Sequence, residues 1–145
     1  MIISLPTPSG LTGKVLFLMM DGIERTRWDI NRALGFSVEK ETTARIRDLR
    51  KFGFDVPCVT RKFGDKTLHC YKLLLSKDEA LTLNVFRYIV THLGVTAYEI
   101  ASALDYDVEF VHEKLCQLEN LNRIARTEMR VCSVMNREEI TWWVS

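Results

Sequence analysis

The apolar positions of this 145-residue chain run through helical spacing into strand-like stretches, and then do so a second time. Residues 11–20 are apolar almost throughout and predict a buried first helix. Thr-Arg-Trp-Asp-Ile-Asn-Arg-Ala-Leu at 26–34 predicts a short helix opened by a capping box, with Thr26 as N-cap and Asp29 three positions on. It is expected to bury Ile30, Ala33 and Leu34. A tight turn at Gly35-Phe36-Ser37 leads to a second helix that puts Ile46, Leu49 and Phe52 on one face and stops at Gly53. Residues 56–62 and 67–74, joined at Phe63-Gly64-Asp65-Lys66, predict a β-hairpin.

The second pass has the same order. Residues 81–93 predict a helix, and Thr-Ala-Tyr-Glu-Ile-Ala-Ser-Ala-Leu at 96–104 repeats the capping box with Thr96 and Glu99, burying Ile100, Ala103 and Leu104. Asp105-Tyr106-Asp107 is the turn. Val111, Leu115 and Leu118 line the next helix, which ends at Asn122. Segments 123–127, 130–135 and 140–144 are the strand candidates. Thr26/Thr96, Ile30/Ile100, Ala33/Ala103 and Leu34/Leu104 are identical at an offset of 70; Ile46/Leu115, Leu49/Leu118 and Phe52/Leu121 match at 69. One extra residue therefore lies in the first copy, between Leu34 and Ile46. The pattern predicts an α+β, mainly helical chain of two domains, 1–76 and 77–145, with the junction at Ser76-Lys77-Asp78-Glu79.

Helix, helix, turn, helix and hairpin, twice over, resembles a tandem pair of winged helix-turn-helix domains. Ala33-Leu34-Gly35-Phe36-Ser37, the run from Ile46 through Val56, and a strand ending Tyr71-Lys72-Leu73 resemble the DNA-binding domain of biotin-repressor-type regulators. The second copy resembles a generic winged helix of the MarR or ArsR kind. The resemblance implies a recognition helix near 40–52 and a wing near 61–66 in the first copy. Winged helices also serve as protein-interaction modules, so fold alone leaves function open.

Composition changes this picture through charge. The chain is 47% hydrophobic and 27% charged, with a net charge of +1. That total hides residues 1–77 at +6 and residues 78–145 at −5. A basic half can meet a polyanion and an acidic half cannot. Residues 40–51 carry Lys40, Arg45, Arg47, Arg50 and Lys51 against Glu41 and Asp48. Opposite the apolar face stand Lys40, Glu41, Thr43, Ala44 and Arg47. Arg47 is the leading candidate for a base contact, because a guanidinium can pair guanine bidentately. Lys40 and Thr43 suit a base or a phosphate. Arg25, Arg27 and Arg32 lie on or before the preceding helix, and Arg61, Lys62 and Lys66 cluster at the hairpin tip, suited to backbone contacts. Arg45 and Lys51 complete the candidate DNA-binding set. A solvated, internally paired basic face is the bland alternative.

In the second copy Lys40, Glu41, Thr43, Ala44, Arg47 and Arg50 become Glu109, Phe110, His112, Glu113, Cys116 and Glu119. Such a helix is repelled by phosphate. Its candidate role is protein contact, as a homodimer or with another protein, through Tyr106, Phe110, Glu113, Trp142 and Trp143. The adjacent tryptophans of a terminal strand point to opposite faces, so one enters the core.

The first reading is thus a sequence-specific double-stranded DNA-binding protein acting in transcription regulation. Two others stand beside it: an adaptor built from winged helices, and a phage or plasmid replication or maintenance factor. No GxSxG, P-loop, HExxH or GxGxxG motif occurs, and no enzyme activity or cofactor is expected. Cys58, His69 and Cys70 lack metal-ligand spacing, so no metal is expected; a Cys58–Cys70 cross-strand disulfide is geometrically open but disfavoured in a reducing compartment. Cys116 reads as a surface thiol. No apolar run nears the roughly 18–20 residues of a membrane span, and Met1-Ile2-Ile3-Ser4-Leu5-Pro6 lacks a signal-peptide pattern. A cytoplasmic protein is expected, nucleoid-associated where it binds DNA.

Overall fold

Two capping boxes organise the fold. The computed structural model describes residues 4–37 and 40–145, so the Met1–Ile3 part of the signal-peptide reading lies outside the described residues. The extra residue expected between Leu34 and Ile46 falls in a stretch whose Val38 and Glu39 also lie outside them. The chain divides into two units, Met1–Lys77 and Asp78–Ser145.

The first unit contains helix α1 (Leu11–Met19), strand β1 (Arg25–Thr26), helices α2 (Arg27–Leu34) and α3 (Glu41–Lys51), and strands β2 (Cys58–Phe63) and β3 (Lys66–Tyr71). Thr26 Oγ1 accepts the Asp29 N–H at 3.1 Å, while the Asp29 carboxylate accepts the Thr26 N–H at 3.1 Å. Such a cap is worth about 1 kcal/mol, and it fixes where α2 starts. Gly35, with φ of 68°, ends α2 in the left-handed region. Val15, Leu16, Met19, Ile30, Ile46 and Leu49 are buried together as the core. Leu5 joins them, and Ser4 donates its N–H to the Phe52 carbonyl at 3.3 Å. The segment before α1 crosses it so closely that a Cβ on Gly13 would stand 2.2 Å from the Thr7 carbonyl oxygen.

The three strands pair antiparallel in the order β1-β3-β2. Phe63 pairs with Lys66, so the expected four-residue connection tightens to a two-residue turn at Gly64-Asp65. Gly64 supplies the positive φ, 66°, that a tight hairpin turn takes at its first position. Cys58 lies opposite Tyr71, and Cys70 opposite Val59. The two cysteines therefore face opposite sides of the sheet, which removes the cross-strand disulfide; both are free thiols.

The second unit repeats the order with helix α4 (Lys77–Thr91), strand β4 (Val95–Thr96), helices α5 (Ala97–Leu104) and α6 (Val108–Asn120), and strands β5 (Ile124–Val131) and β6 (Glu138–Val144). Its sheet runs β4-β6-β5. Thr96 and Glu99 form the second capping box. Asp105, with φ of 56°, takes the place of Gly35, and Asn122, with φ of 58°, that of Gly53. Each unit is a winged helix, and the fold class is α+β.

Three further expectations are corrected. Ala33 and Ala103 are exposed, because each eight-residue helix turns its next position, Asn31 or Ala101, onto the neighbouring helix. In the first unit Thr42 Oγ1 donates to Asn31 Oδ1 in the buried contact; the second has Val111 and Ala101 at those places. The segments 123–127 and 130–135 are not separate strands. They merge into β5, which passes through a bulge between Thr127 and Met129 and keeps pairing to Val131. Helix α4 starts at Lys77, ahead of the expected residue 81, because Thr82 and Leu83 are already buried in its second turn.

Candidate nucleic-acid interface

The capped α2 and the Gly35 turn present α3 with Ile46 and Leu49 inward, and this fixes what α3 shows to solvent. Arg47, Arg50 and Lys51 are exposed, as is Lys40 at the N-cap, while Thr43 is half-buried. Arg50 is committed: its Nε and Nη2 donate to the Val56 carbonyl at 3.1 and 2.7 Å, tying α3 to the chain that enters the hairpin. Arg45 is half-buried and paired on its own helix. Its Nη2 stands 3.3 Å from Asp48 Oδ2 and its Nε 3.5 Å from Glu41 Oε1. Asp48 in turn accepts from Thr12 of α1 at 3.3 Å, so Arg45 lies in an internal charge cluster beside α1.

The hairpin separates its cations in the same way. Lys62 and Lys66 are exposed, with no carboxylate partner among the described residues. Arg61 is held by Glu24, Nε to Oε2 at 2.6 Å and Nη2 to Oε1 at 3.0 Å. That hydrogen-bonded guanidinium draws the Glu24 carboxyl below the usual carboxylate range. On α2, Arg32 is exposed, while the Arg27 guanidinium lies over the Trp28 ring at 4.9 Å. Arg25 is chelated by Asp21 at 2.8 and 2.5 Å. Arg32, Lys40, Arg47, Lys51, Lys62 and Lys66 thus remain as exposed cations with no ion pair among the described residues.

The second unit uses the same positions differently. Lys114, at the place of Arg45, is fully buried and paired with Asp78 at the start of α4, its Nζ 5.0 Å from the Phe110 ring centre. The one cation of α6 is therefore spent inside, and the exposed face carries Glu109 and Glu113. Glu119 is bound bidentately by Arg126 at 2.9 Å on both arms. Tyr106 and Phe110 meet edge to face with centroids 5.9 Å apart, both half-buried, and Tyr106 Oη accepts from Asn84 Nδ2 at 3.2 Å. Trp142 is only 5% exposed, under the Arg126 guanidinium at 5.3 Å, and does not belong to an accessible surface. Trp143, 41% exposed, lines an open groove of about 460 Å³ with Leu93, Gly94 and Met129. Gly94 has no room for a side chain there, since a Cβ would approach the Trp143 ring to 2.8 Å.

Sequence reading missed Glu24, Asp78 and the Asn31–Thr42 contact. Glu24 and Arg61 are 37 positions apart with no local signal, whereas the 69-residue offset between Arg45 and Lys114 marks the helix position that faces the first helix of each unit. No group of three or more His, Cys, Asp or Glu is placed to hold a metal ion among the described residues. No helix among them is long and apolar enough to cross a membrane.

The class defined by these elements is the winged helix, basic in one unit and acidic in the other. No family model matches the chain, and no curated protein matches it. Among solved structures, the crystal structure of ScpB from Mycobacterium tuberculosis is similar at 12% identity, over 92% of this chain and 89% of that chain, with a TM-score of 0.36. With so low a score the likeness says nothing about ligands, and the winged-helix assignment rests on the chain's own elements.

Proposed function

We propose that the first unit is a double-stranded DNA reader and that the protein acts as a sequence-specific regulator of transcription. One observation carries the reading. Exposed cations without a partner among the described residues occur together on α2, α3 and the β2–β3 hairpin, the three elements that face a duplex when a winged helix places its second helix in the major groove. The second unit has the same fold and lacks that pattern, which makes the charge a property of the first unit rather than of the architecture. Arg47 is the base-reading residue; Lys62 and Lys66 are backbone contacts. The second unit provides a protein contact, a second copy of the chain or another protein, through Glu113 and the Trp143 groove.

The test is selection of preferred duplexes from a random pool, followed by affinity measurements on preferred and scrambled sites. Arg47→Ala is expected to flatten the difference between the two sites. Lys66→Ala is expected to weaken both alike. Equal effects of the two substitutions on both sites would remove Arg47 from base reading.

An adaptor reading is favoured by a different observation, the exposed apolar side chains Met129, Val131, Val134, Met135 and Ile140 around the β5–β6 hairpin. It predicts no salt-dependent duplex binding and capture of a partner that Met129→Glu abolishes.

A further inference from the structure

The Arg61–Glu24 pair differs in kind from the other cations of the first hairpin. Thr26 and Val59 both lie opposite Cys70, so Glu24 and Arg61, each two positions away, share one face of the sheet. Arg61 reaches across β3 and presents its fork to both carboxylate oxygens, at 2.6 and 3.0 Å. Two non-bridging oxygens of a phosphodiester offer a guanidinium the same bidentate geometry. The pair is open to water, with the Arg61 side chain 53% exposed, so a phosphate can reach the guanidinium without rearrangement of the core. Lys62 and Lys66, on the same hairpin, have no such partner among the described residues.

We infer that Glu24 is an internal stand-in for phosphate, which occupies Arg61 in the free protein and yields it to the DNA backbone on binding. Exchange of one anionic partner for another leaves Arg61 adding little net affinity. Glu24 therefore sets the wing's grip below what its cations would otherwise deliver. The inference rests on the DNA reading above and adds to it a residue that limits affinity.

The experiment is fluorescence anisotropy of a duplex titrated with the full chain at several salt concentrations, using the native protein, Glu24→Gln, Arg61→Ala and the double variant. An exposed ion pair contributes little to folding, so all four are expected to melt alike. Glu24→Gln is expected to bind several-fold tighter, and its log–log salt dependence to steepen by about 0.9, because no freed carboxylate then takes up a cation to offset the one that Arg61 releases from phosphate. Arg61→Ala alone is expected to stay within about twofold of the native protein, because an exposed pair that is merely exchanged is worth little. In the Glu24→Gln background the same substitution should remove the whole gain. A gain that survives loss of Arg61 is a general charge effect and overturns the inference, as does a Glu24→Gln protein no tighter than a native protein that binds. Absence of binding by all four overturns the DNA reading itself, and this inference with it.

Discussion

Glu99 offers the sharpest stability prediction. It is the capping-box carboxylate of α5, accepting the Thr96 N–H at 3.0 Å. It also accepts from Arg130 on both oxygens, from the Ser133 N–H at 3.0 Å and from the Ser133 hydroxyl at 2.7 Å. Arg130 donates in addition to the Gly94 carbonyl at 2.9 Å. One carboxylate thus joins the helix start, the end of β5 and the loop beyond it. Burial pushes the Glu99 carboxyl upward, but the Arg130 guanidinium and the Ser133 and Thr96 donors outweigh it and hold it at about 2 against an ordinary 4.5. At 1.36 kcal/mol per pH unit of pKa, that difference corresponds to about 3 kcal/mol of stability. Because the folded-state pKa is the lower one, this contribution is complete above pH 4.5 and is lost as the pH falls towards 2. Glu99→Gln keeps the shape and removes the charge. Urea unfolding in a Trp28→Phe background leaves Trp142 and Trp143 to report on the second unit alone. The variant is expected to lose about 2–3 kcal/mol at pH 7, and the gap should roughly halve near pH 3. A gap that does not change with pH, or none at pH 7, would refute the argument.

Two further contacts test the packing. Thr42→Val removes the buried hydroxyl that donates to Asn31 Oδ1 and is expected to cost about 1–2 kcal/mol in thermal melts; an unchanged melting temperature would show that this contact adds nothing. Asp78→Asn strands the buried Lys114 ammonium, whereas Lys114→Met removes the charge altogether. Chemical denaturation should therefore find Asp78→Asn the more damaging of the two, and the reverse order would show that Asp78 is not what neutralises Lys114.

How much of this was legible beforehand follows from the range of each interaction. The capping boxes, the left-handed residues Gly53 and Asn122, and the buried faces of α3 and α6 are local signals, and they appear in the structure where residue type and spacing put them. The β5 bulge was not legible, because an alternating pattern interrupted at Glu128 looks like a strand end when the partner strand is unknown. The same limit applied to the site. Residue type and helix face marked Arg47, Lys62 and Lys66 as exposed cations. The neutralisation of Arg61 depends on a carboxylate brought in just ahead of β1 from 37 residues away, whereas that of Arg45 comes from Glu41 and Asp48 within one turn of α3, a local spacing that was legible and passed over. Trp142 and Trp143 were known to part company, but only the sheet order β4-β6-β5 decides which of them is covered.

The central claim is that the basic face of the first unit binds the DNA backbone. Its most direct measurement is anisotropy of a fluorescent duplex with the full chain between 50 and 200 mM salt, repeated with Arg47, Lys62 and Lys66 changed together to Ala, and with Glu109 and Glu113 changed together to Gln. With about six phosphate contacts, affinity is expected to fall about a thousandfold across that range. The triple change should remove about two units from the log–log slope, one for each lysine held by phosphate, and the change on α6 should leave it untouched. Binding that ignores salt, or a slope that the triple change does not alter, would contradict the claim.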